Sequence, residues 1–358
     1  MKYGTFAMVE PRSTAKWAVG LALMLGMSTM ACAQQKTLYL GMNGGDMERT
    51  FTQHVFPVFE KQHNVKIVVV PGGSSDILAK AQAFRDKPQM HVMFLDDGVM
   101  QRAATMGLCE KMEDTPVMKE LHPNARMDDG LAVGFTIGLT GLGYNKRMYE
   151  KQGWQPPTSW KDLADPKVKN KVVFQSASNS TFGLHAFLLY NRILGGDESN
   201  VEPGFKAWRD TIGPNVLEYI PSSAKLAEMI QTDEAAVFPI NVTGVQRLQK
   251  RGVPVEFVAP AEGTGMLMVA ECVIANNSEP ELAHQLAQFL LSAQAQSLAL
   301  ENGSQIPSNL TVKAVDPEIQ AYLAMNQDFQ KTATVFDWAL INANRQAWNA
   351  RWNRTIER

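Results

Sequence analysis

The segment from Leu38 to Phe84 constrains the fold more than any other, because it reads as two consecutive strand–loop–helix units, each with a glycine-rich loop. Leu38-Tyr39-Leu40 is a short apolar strand, Gly41 to Gly45 breaks it, and Phe51, Val55, Phe56, Val58 and Phe59 then recur at helical spacing. The plan repeats. Val65 to Val70 is β-branched apart from Lys66, as in a strand buried on both faces, and Pro71 to Ser75 precedes the helical Ile77 to Ala81. Parallel strands joined by helices put their loops on one edge of the sheet. Ligands of open α/β sheets bind there, where helix N-termini offer unpaired N–H groups and the positive end of the dipole.

Met90 to Leu95 is a third strand, ended by Asp96-Asp97-Gly98 and followed by a helix that stops at Gly107, so a doubly wound sheet is under way. The pattern then changes. Gly130 to Asn145 carries glycines among β-type residues and reads as an extended segment leaving the first lobe. Ser159 or Thr158 is placed to cap a helix start before Asp162. A second α/β unit begins at Lys171 to Phe174, continues through the polar loop Gln175 to Thr181, and enters a helix through Leu184, Phe187, Leu188 and Ile193. Ala235 to Ile240, Val255 to Val258 and Met266 to Ile274 are strand-like; Ala224 to Ile230 and Val242 to Gln249 are helical, as is most of the chain beyond Pro280. Glycines near Gly138 and Gly265 mark two crossings between lobes. The expected fold class is α/β, with two doubly wound lobes joined by a hinge: a first lobe over 34–138, a second over 139–265, and a return to the first over 266–358. A cleft between hinged lobes closes on a small ligand.

Composition narrows the function. At 358 residues and 45% apolar content the chain can build two cores, and a formal charge of −2 implies no large electrostatic partner. No basic cluster is interleaved with aromatics, so nucleic acid is not an expected partner. Lys2, Arg12 and Lys16 precede the apolar run Trp17 to Met30 and then Ala31-Cys32-Ala33, the order of a secretory signal cleaved near Ala33, with residues 1–33 as the leader. A retained membrane anchor fits less well, the run being short. Lipidation at Cys32 is the minority alternative, because Thr29-Met30-Ala31 lacks the aliphatic position such signals carry. Cys109 and Cys272 then remain, either as a disulfide of an oxidising compartment or as two small buried hydrophobes.

No G-x-S-x-G elbow, H-E-x-x-H, P-loop or G-x-G-x-x-G fingerprint occurs, and the histidines are scattered without ligand spacing, so no cofactor or metal is implied. Carboxylate pairs leave no local signature, which keeps an exported hydrolase using cleft carboxylates as the rival from another class. Methionines without clustered histidine do not imply copper.

Val58-Phe59-Glu60-Lys61, Gly73-Ser74-Ser75, His91 to Asp97 with Gly107-Leu108, Gly141-Leu142-Gly143-Tyr144-Asn145 and Ile306-Pro307-Ser308-Asn309 lie along the chain in an order that resembles an extracytoplasmic solute-binding protein of an ABC importer. The likeness is to the cluster that holds polyamine, ferric-iron, thiamine and aminoethylphosphonate binders, and the tail from Asp337-Trp338 to Trp352 resembles polyamine binders in particular. The resemblance implies a type II two-lobed arrangement, a periplasmic monomer, a small-molecule solute, and an ABC permease with its ATPase as partners. It implies binding without chemistry. A ligand-sensing module of a chemoreceptor system would share the fold.

The expected second-lobe acids of polyamine binders are absent from Ser176 to Thr181, and the adjacent tyrosines of ferric binders are absent throughout. By the resemblance, Gly73, Ser74 and Ser75 before one helix, and Ser178, Asn179, Ser180 and Thr181 before another, are candidates to hold phosphonate, phosphate or carboxylate oxygens. Each is equally a capping or turn residue. Asp96 or Asp97 is a candidate for an ammonium group, the other for the helix cap. Asn43, Gly44 and Asn241 at strand ends, Tyr144 at the crossing and Glu262 before the return complete the candidate set. A carboxylate and anion donors in one cleft imply a zwitterionic ligand, or one with an amine and an acid group. Trp338, Trp348 and Trp352 are expected to pack the tail on the first lobe.

Overall fold

Alternating burial along β1 (Lys36–Met42) hides Leu38, Leu40 and Met42 and leaves Tyr39 40% exposed, the period of two of a pleated strand. The computed structural model that shows this describes Met1, residues 35–220 and residues 223–357. The expected leader therefore lies, after Met1, outside the described residues. β1 is followed by α1 (Asp46–Thr50), which runs through a π turn into α2 (Phe56–His63), then by β2 (Val65–Pro71) and α3 (Ser74–Ala83). β3 (Val92–Asp96) leads directly into α4 (Asp97–Thr105). β1 pairs in parallel with both β2 and β3, which puts the ends Met42, Pro71 and Asp96 on one edge. β2 differs from its sequence reading. It is the outermost strand, its Lys66 and Val68 face solvent, and only Val65 and Ile67 are buried, whereas β3 is the strand buried on both faces.

A short β4 (Arg126–Met127) precedes the long crossing strand β5 (Ala132–Asn145) and α5 (Lys146–Gln152). The second lobe holds β6 (Val172–Gln175), α6 (Thr181–Ile193), α7 (Glu202–Ala207), β7 (Val216–Ile220), α8 (Ser223–Gln231), β8 (Val237–Asn241), α9 (Val242–Lys250) and β9 (Val255–Val258). β7 escaped the sequence reading because four of its five residues are only partly buried or exposed at a sheet edge and Glu218 interrupts the apolar pattern. β10 (Gly265–Val273) returns beside β5, pairing Gly138 with Leu267 and Thr140 with Gly265, and continues to pair Val269 with Asp96 of β3. One sheet thus runs β2-β1-β3-β10-β5-β8-β6-β7, with β5 and β10 as its middle. The remaining helices are α10 (Pro280–Leu290), α11 (Ala293–Gly303), α12 (Pro317–Gln330) and α13 (Trp338–Thr355).

Each lobe has apolar clusters on both sheet faces, the doubly wound plan. Phe51, Phe56 and Phe59 pack with Phe94, Phe135, Leu286 and Leu290 on one face of the first lobe, and Ile77, Leu78, Met100 and Ala103 cover the other. Phe174, Phe187 and Trp208 fill one face of the second lobe, and Phe238, Val245 and Leu248 the opposite one. Trp352 belongs to the second lobe, contrary to the expectation for the tail. Its ring lies 5.3 Å from that of Trp208 and 5.4 Å from that of Phe187. The tail instead straddles the lobes, since Gly98 of α4 packs under the Trp338 indole with no room for a Cβ, and Asn342 Nδ2 donates to the Gly98 carbonyl at 2.9 Å. Cys109 and Cys272 are joined by a disulfide that ties the exit of α4 to β10, with Cα atoms 5.6 Å apart. No helix among the described residues is long and apolar enough to cross a membrane.

Candidate functional site

The carboxyl ends of β1, β2 and β3 bring the two glycine loops and Asp96 together. Gly72 N–H donates to the Met42 carbonyl at 3.1 Å, and Asp96 N–H donates to Ser74 Oγ at 3.1 Å. Ser74 is the first residue of α3, so its hydroxyl is fixed by the helix start. From the other lobe Thr181, the first residue of α6, donates its hydroxyl to Asp96 Oδ2 at 2.9 Å. Ser74 and Thr181 therefore meet at one carboxylate, one from each lobe. Burial pushes the Asp96 carboxyl above its ordinary value, while the Thr181 and Ser74 hydrogen bonds pull it back. No cation among the described residues pairs with it.

Asp97, next in sequence, has a different environment. Its side chain is 2% exposed and accepts from Gly98 N–H at 3.0 Å, from Met268 N–H at 3.2 Å and from the Trp338 side chain. Asp97 thereby fastens α4 to β10 and to the start of α13. Burial is the main cause that pushes its carboxyl up to about 7, with the neighbouring Asp96 adding repulsion. Asp96 ends β3 and Asp97 opens α4, and the change from extended to helical backbone between them sends the two side chains to different surroundings.

The other candidates scatter. Ser180 caps α6, accepting from Gly183 N–H at 3.5 Å, and Asn241 caps α9, accepting from Gly244 N–H at 2.9 Å. Ser178 Oγ pairs with Ser176 Oγ at 2.8 Å, and its carbonyl accepts from Asn349 of α13 at 3.0 Å. Gly73 N–H donates to Asp76 Oδ2 at 3.3 Å. Ser75 and Asn179 are exposed, and Asn43 is half-buried beside Gly44 at the end of β1. Tyr144 packs against Tyr149, ring centroids 4.9 Å apart, within a cluster under α5. Glu262 accepts from Ser159 Oγ at 2.6 Å and from Trp160 N–H at 3.3 Å, holding a helical turn whose start Ser159 caps. Tyr144 and Glu262 thus make their contacts away from Asp96.

Two groups were not read from the sequence. His185 of α6 is fully buried, with Nδ1 3.0 Å from Thr140 Oγ1 and its ring 4.4 Å from that of Phe336; burial lowers its pKa to about 3, so it is neutral. Gly265 lies so close to this ring that a Cβ there would be 2.9 Å from Nδ1. The second group joins α1 to the end of α9. Asp46 pairs with Arg49 in its own helix and with Arg251 at 3.0 Å and Arg247 at 3.9 Å from the second lobe. The Arg247 and Arg251 spacing of four was visible, but it equally fits cations at a helix C-terminus.

A family model described as bacterial extracellular solute-binding protein matches residues 56–327. The chain belongs to that family. It is similar to spermidine/putrescine-binding periplasmic protein 1 of Haemophilus influenzae, 25% identical over 75% of this chain and 77% of the relative. It is also similar to a putative 2-aminoethylphosphonate-binding periplasmic protein of Salmonella typhi, 22% identical over 88% of this chain and 90% of the relative. Among solved structures, an ABC transporter protein from Clostridium perfringens shares the fold with a TM-score of 0.76 at 23% identity, covering 89% of this chain and 99% of that one. The fold is that of type II periplasmic binding proteins, and the family is one of binding proteins.

Proposed function

We propose that this solute-binding protein works in the periplasm for an ABC importer, captures a small polar solute bearing an amine between its lobes, and hands it to a membrane permease. Asp96 carries this reading. It is a carboxylate at the sheet edge where ligands of such folds bind, it is held by one hydroxyl from each lobe, and it lacks a cationic partner among the described residues. An ammonium group satisfies both the charge and the remaining lone pairs. It also completes a bridge that already joins α3, α4 and α6, so binding favours the closed arrangement. The ligands for which the two relatives are named, spermidine/putrescine and 2-aminoethylphosphonate, share an amine, which fits this chemistry. A leader ending near Ala33, as the sequence pattern leads one to expect, and the Cys109–Cys272 bond both support export.

Thermal unfolding against putrescine, spermidine, 2-aminoethylphosphonate and thiamine, with the amine-free diol 1,4-butanediol as control, tests the reading. A ligand at a hundred times its dissociation constant stabilises by about 2.7 kcal/mol, a readily seen rise in Tm. The expected result is a shift with at least one amine and none with 1,4-butanediol. Because Asp96 is easier to protonate than an ordinary carboxyl, amine binding is expected to weaken in acid. A shift with none of these amines, or one unchanged in Asp96→Asn, contradicts the proposal.

A further inference from the structure

A cavity of about 260 Å³ opens between the start of α1 and the end of α9, with the end of α11 as its third wall. Its lining holds four cations, Arg49, Arg247, Lys250 and Arg251, against one carboxylate, Asp46. All three arginines lean on that single carboxylate, and among the described residues Lys250 Nζ has only the Ser304 hydroxyl at 3.2 Å. The macrodipole of α9 accounts for basic residues in its last turn; Arg49 comes from the last turn of α1 in the other lobe, so the cations converge on the cavity from two separate helices. One acid cannot saturate three guanidinium groups, each with five N–H donors in a planar fork. Arg247 is the most constrained of them. Its side chain, at 36% exposed, is less open than those of Arg49 and Arg251, burial depresses its pKa, and Asp46 lies 3.9 Å away, beyond hydrogen-bond distance.

We propose that this cavity is an interlobe site for a small oxyanion of the phosphate or phosphonate class, free or carried on a solute. The oxyanion is held by Arg247 and Arg251 of the second lobe and Arg49 of the first, and it competes with Asp46 for them. The volume suits a single tetrahedral group with its hydration, and guanidinium forks match its oxygens in pairs. Cations contributed by both lobes make the anion a second bridge across the cleft. This site is independent of the amine reading, since it uses none of Ser74, Asp96 or Thr181.

Isothermal titration of the purified protein with inorganic phosphate, ethylphosphonate and 2-aminoethylphosphonate tests it, with 31P line broadening as a second readout. At least one phosphorus oxyanion is expected to bind, and Arg251→Ala and Arg247→Ala each to weaken it by about tenfold or more, as loss of a charge-assisted hydrogen bond does. Asp46→Asn is expected to tighten binding, because it removes the competing acid. A role as a lobe-to-lobe ion pair alone predicts no tightening. Arg126→Ala, an exposed arginine paired with Asp114, serves as the control and is expected to change nothing. Phosphate binding marks a site open to the free anion, whereas binding of 2-aminoethylphosphonate alone, weakened by Arg251→Ala, marks an anion carried on an amine solute. Absence of binding to all three, or binding indifferent to Arg247, Arg251 and Asp46 together, overturns the proposal. The amine test uses putrescine, which has no phosphorus, so either reading can fail while the other stands.

Discussion

The lobes of this protein meet along two seams of opposite chemistry. On the α13 side the contacts are mostly carbonyl acceptors and buried rings, with one more exposed ion pair, Arg351 to Glu202, at the margin: Asn342 donates to the Gly98 carbonyl, Arg345 to the Ala177 carbonyl, Asn349 to the Ser178 carbonyl, and Trp352 sits 2% exposed in the second lobe. At the far end of α9 the contacts are ions around Asp46, whose side chain is 31% exposed. Buried hydrogen bonds and apolar area hold at any ionic strength, whereas exposed ion pairs are screened and exchange readily with other ions. The first seam fixes where the lobes sit; the second answers to what enters between them.

Removing the anchor of the fixed seam has the largest expected effect. Trp352→Ala empties a pocket lined by Phe174, Phe187, Phe205 and Trp208, and is expected to cost about 3–5 kcal/mol in chemical denaturation. A loss below about 1 kcal/mol would show that α13 is a surface addition. Next comes Asp97→Ala, which strands the Gly98 and Met268 N–H groups and the Trp338 side chain; roughly 2–4 kcal/mol is expected, in line with unpaired buried donors.

A smaller effect sharpens the same comparison through pH. The Asp97 carboxyl titrates near its ordinary 3.8 when unfolded and at about 7 in the fold, so the native state holds the proton more tightly. Its contribution is fully present below about pH 3.8 and is lost as the pH rises to about 7, so stability from this group falls across that window. Asp97→Asn is therefore expected to be less stable overall but to show a shallower decline of Tm over the window. Glu271, buried without a protein hydrogen-bond partner among the described residues, is shifted in the same direction and keeps part of the decline. An unchanged slope in Asp97→Asn would remove Asp97 from the account. The smallest effect belongs to the ionic seam: Arg251→Ala is expected to change stability by no more than about 1 kcal/mol, and less in high salt. A larger, salt-independent loss would erase the distinction between the seams.

The same contrast explains what could be read from the sequence. Elements with a strong period were legible. The crossing strands β5 and β10, the glycine loops after β1 and β2 and the polar loop before α6 all stand where pattern placed them. The carboxyl-edge rule pointed to Ser74, Asp96 and Thr181, although each resembled a capping residue as much as a ligand. Capping in fact claims Ser180 and Asn241, because a helix start satisfies its own N–H groups with the nearest short polar side chain. Which of Asp96 and Asp97 faces the other lobe depends on β10 and Trp338, more than a hundred and fifty residues away, and no local signal carries that. The Asp46 cluster was hidden for the same reason, since its partners come from α9. Trp352 misled because an aromatic on a terminal helix does not announce which core it enters.

The most direct test of the central claim is calorimetric titration of wild type and Asp96→Asn, side by side, with putrescine and with 2-aminoethylphosphonate. The account predicts binding of at least one by the wild type and a loss of about a hundredfold in Asp96→Asn, the cost of stranding one partner of a buried charge pair, with the fold intact by circular dichroism. Equal affinity in the two proteins would contradict it, and would move the amine site away from the carboxylate that Ser74 and Thr181 share.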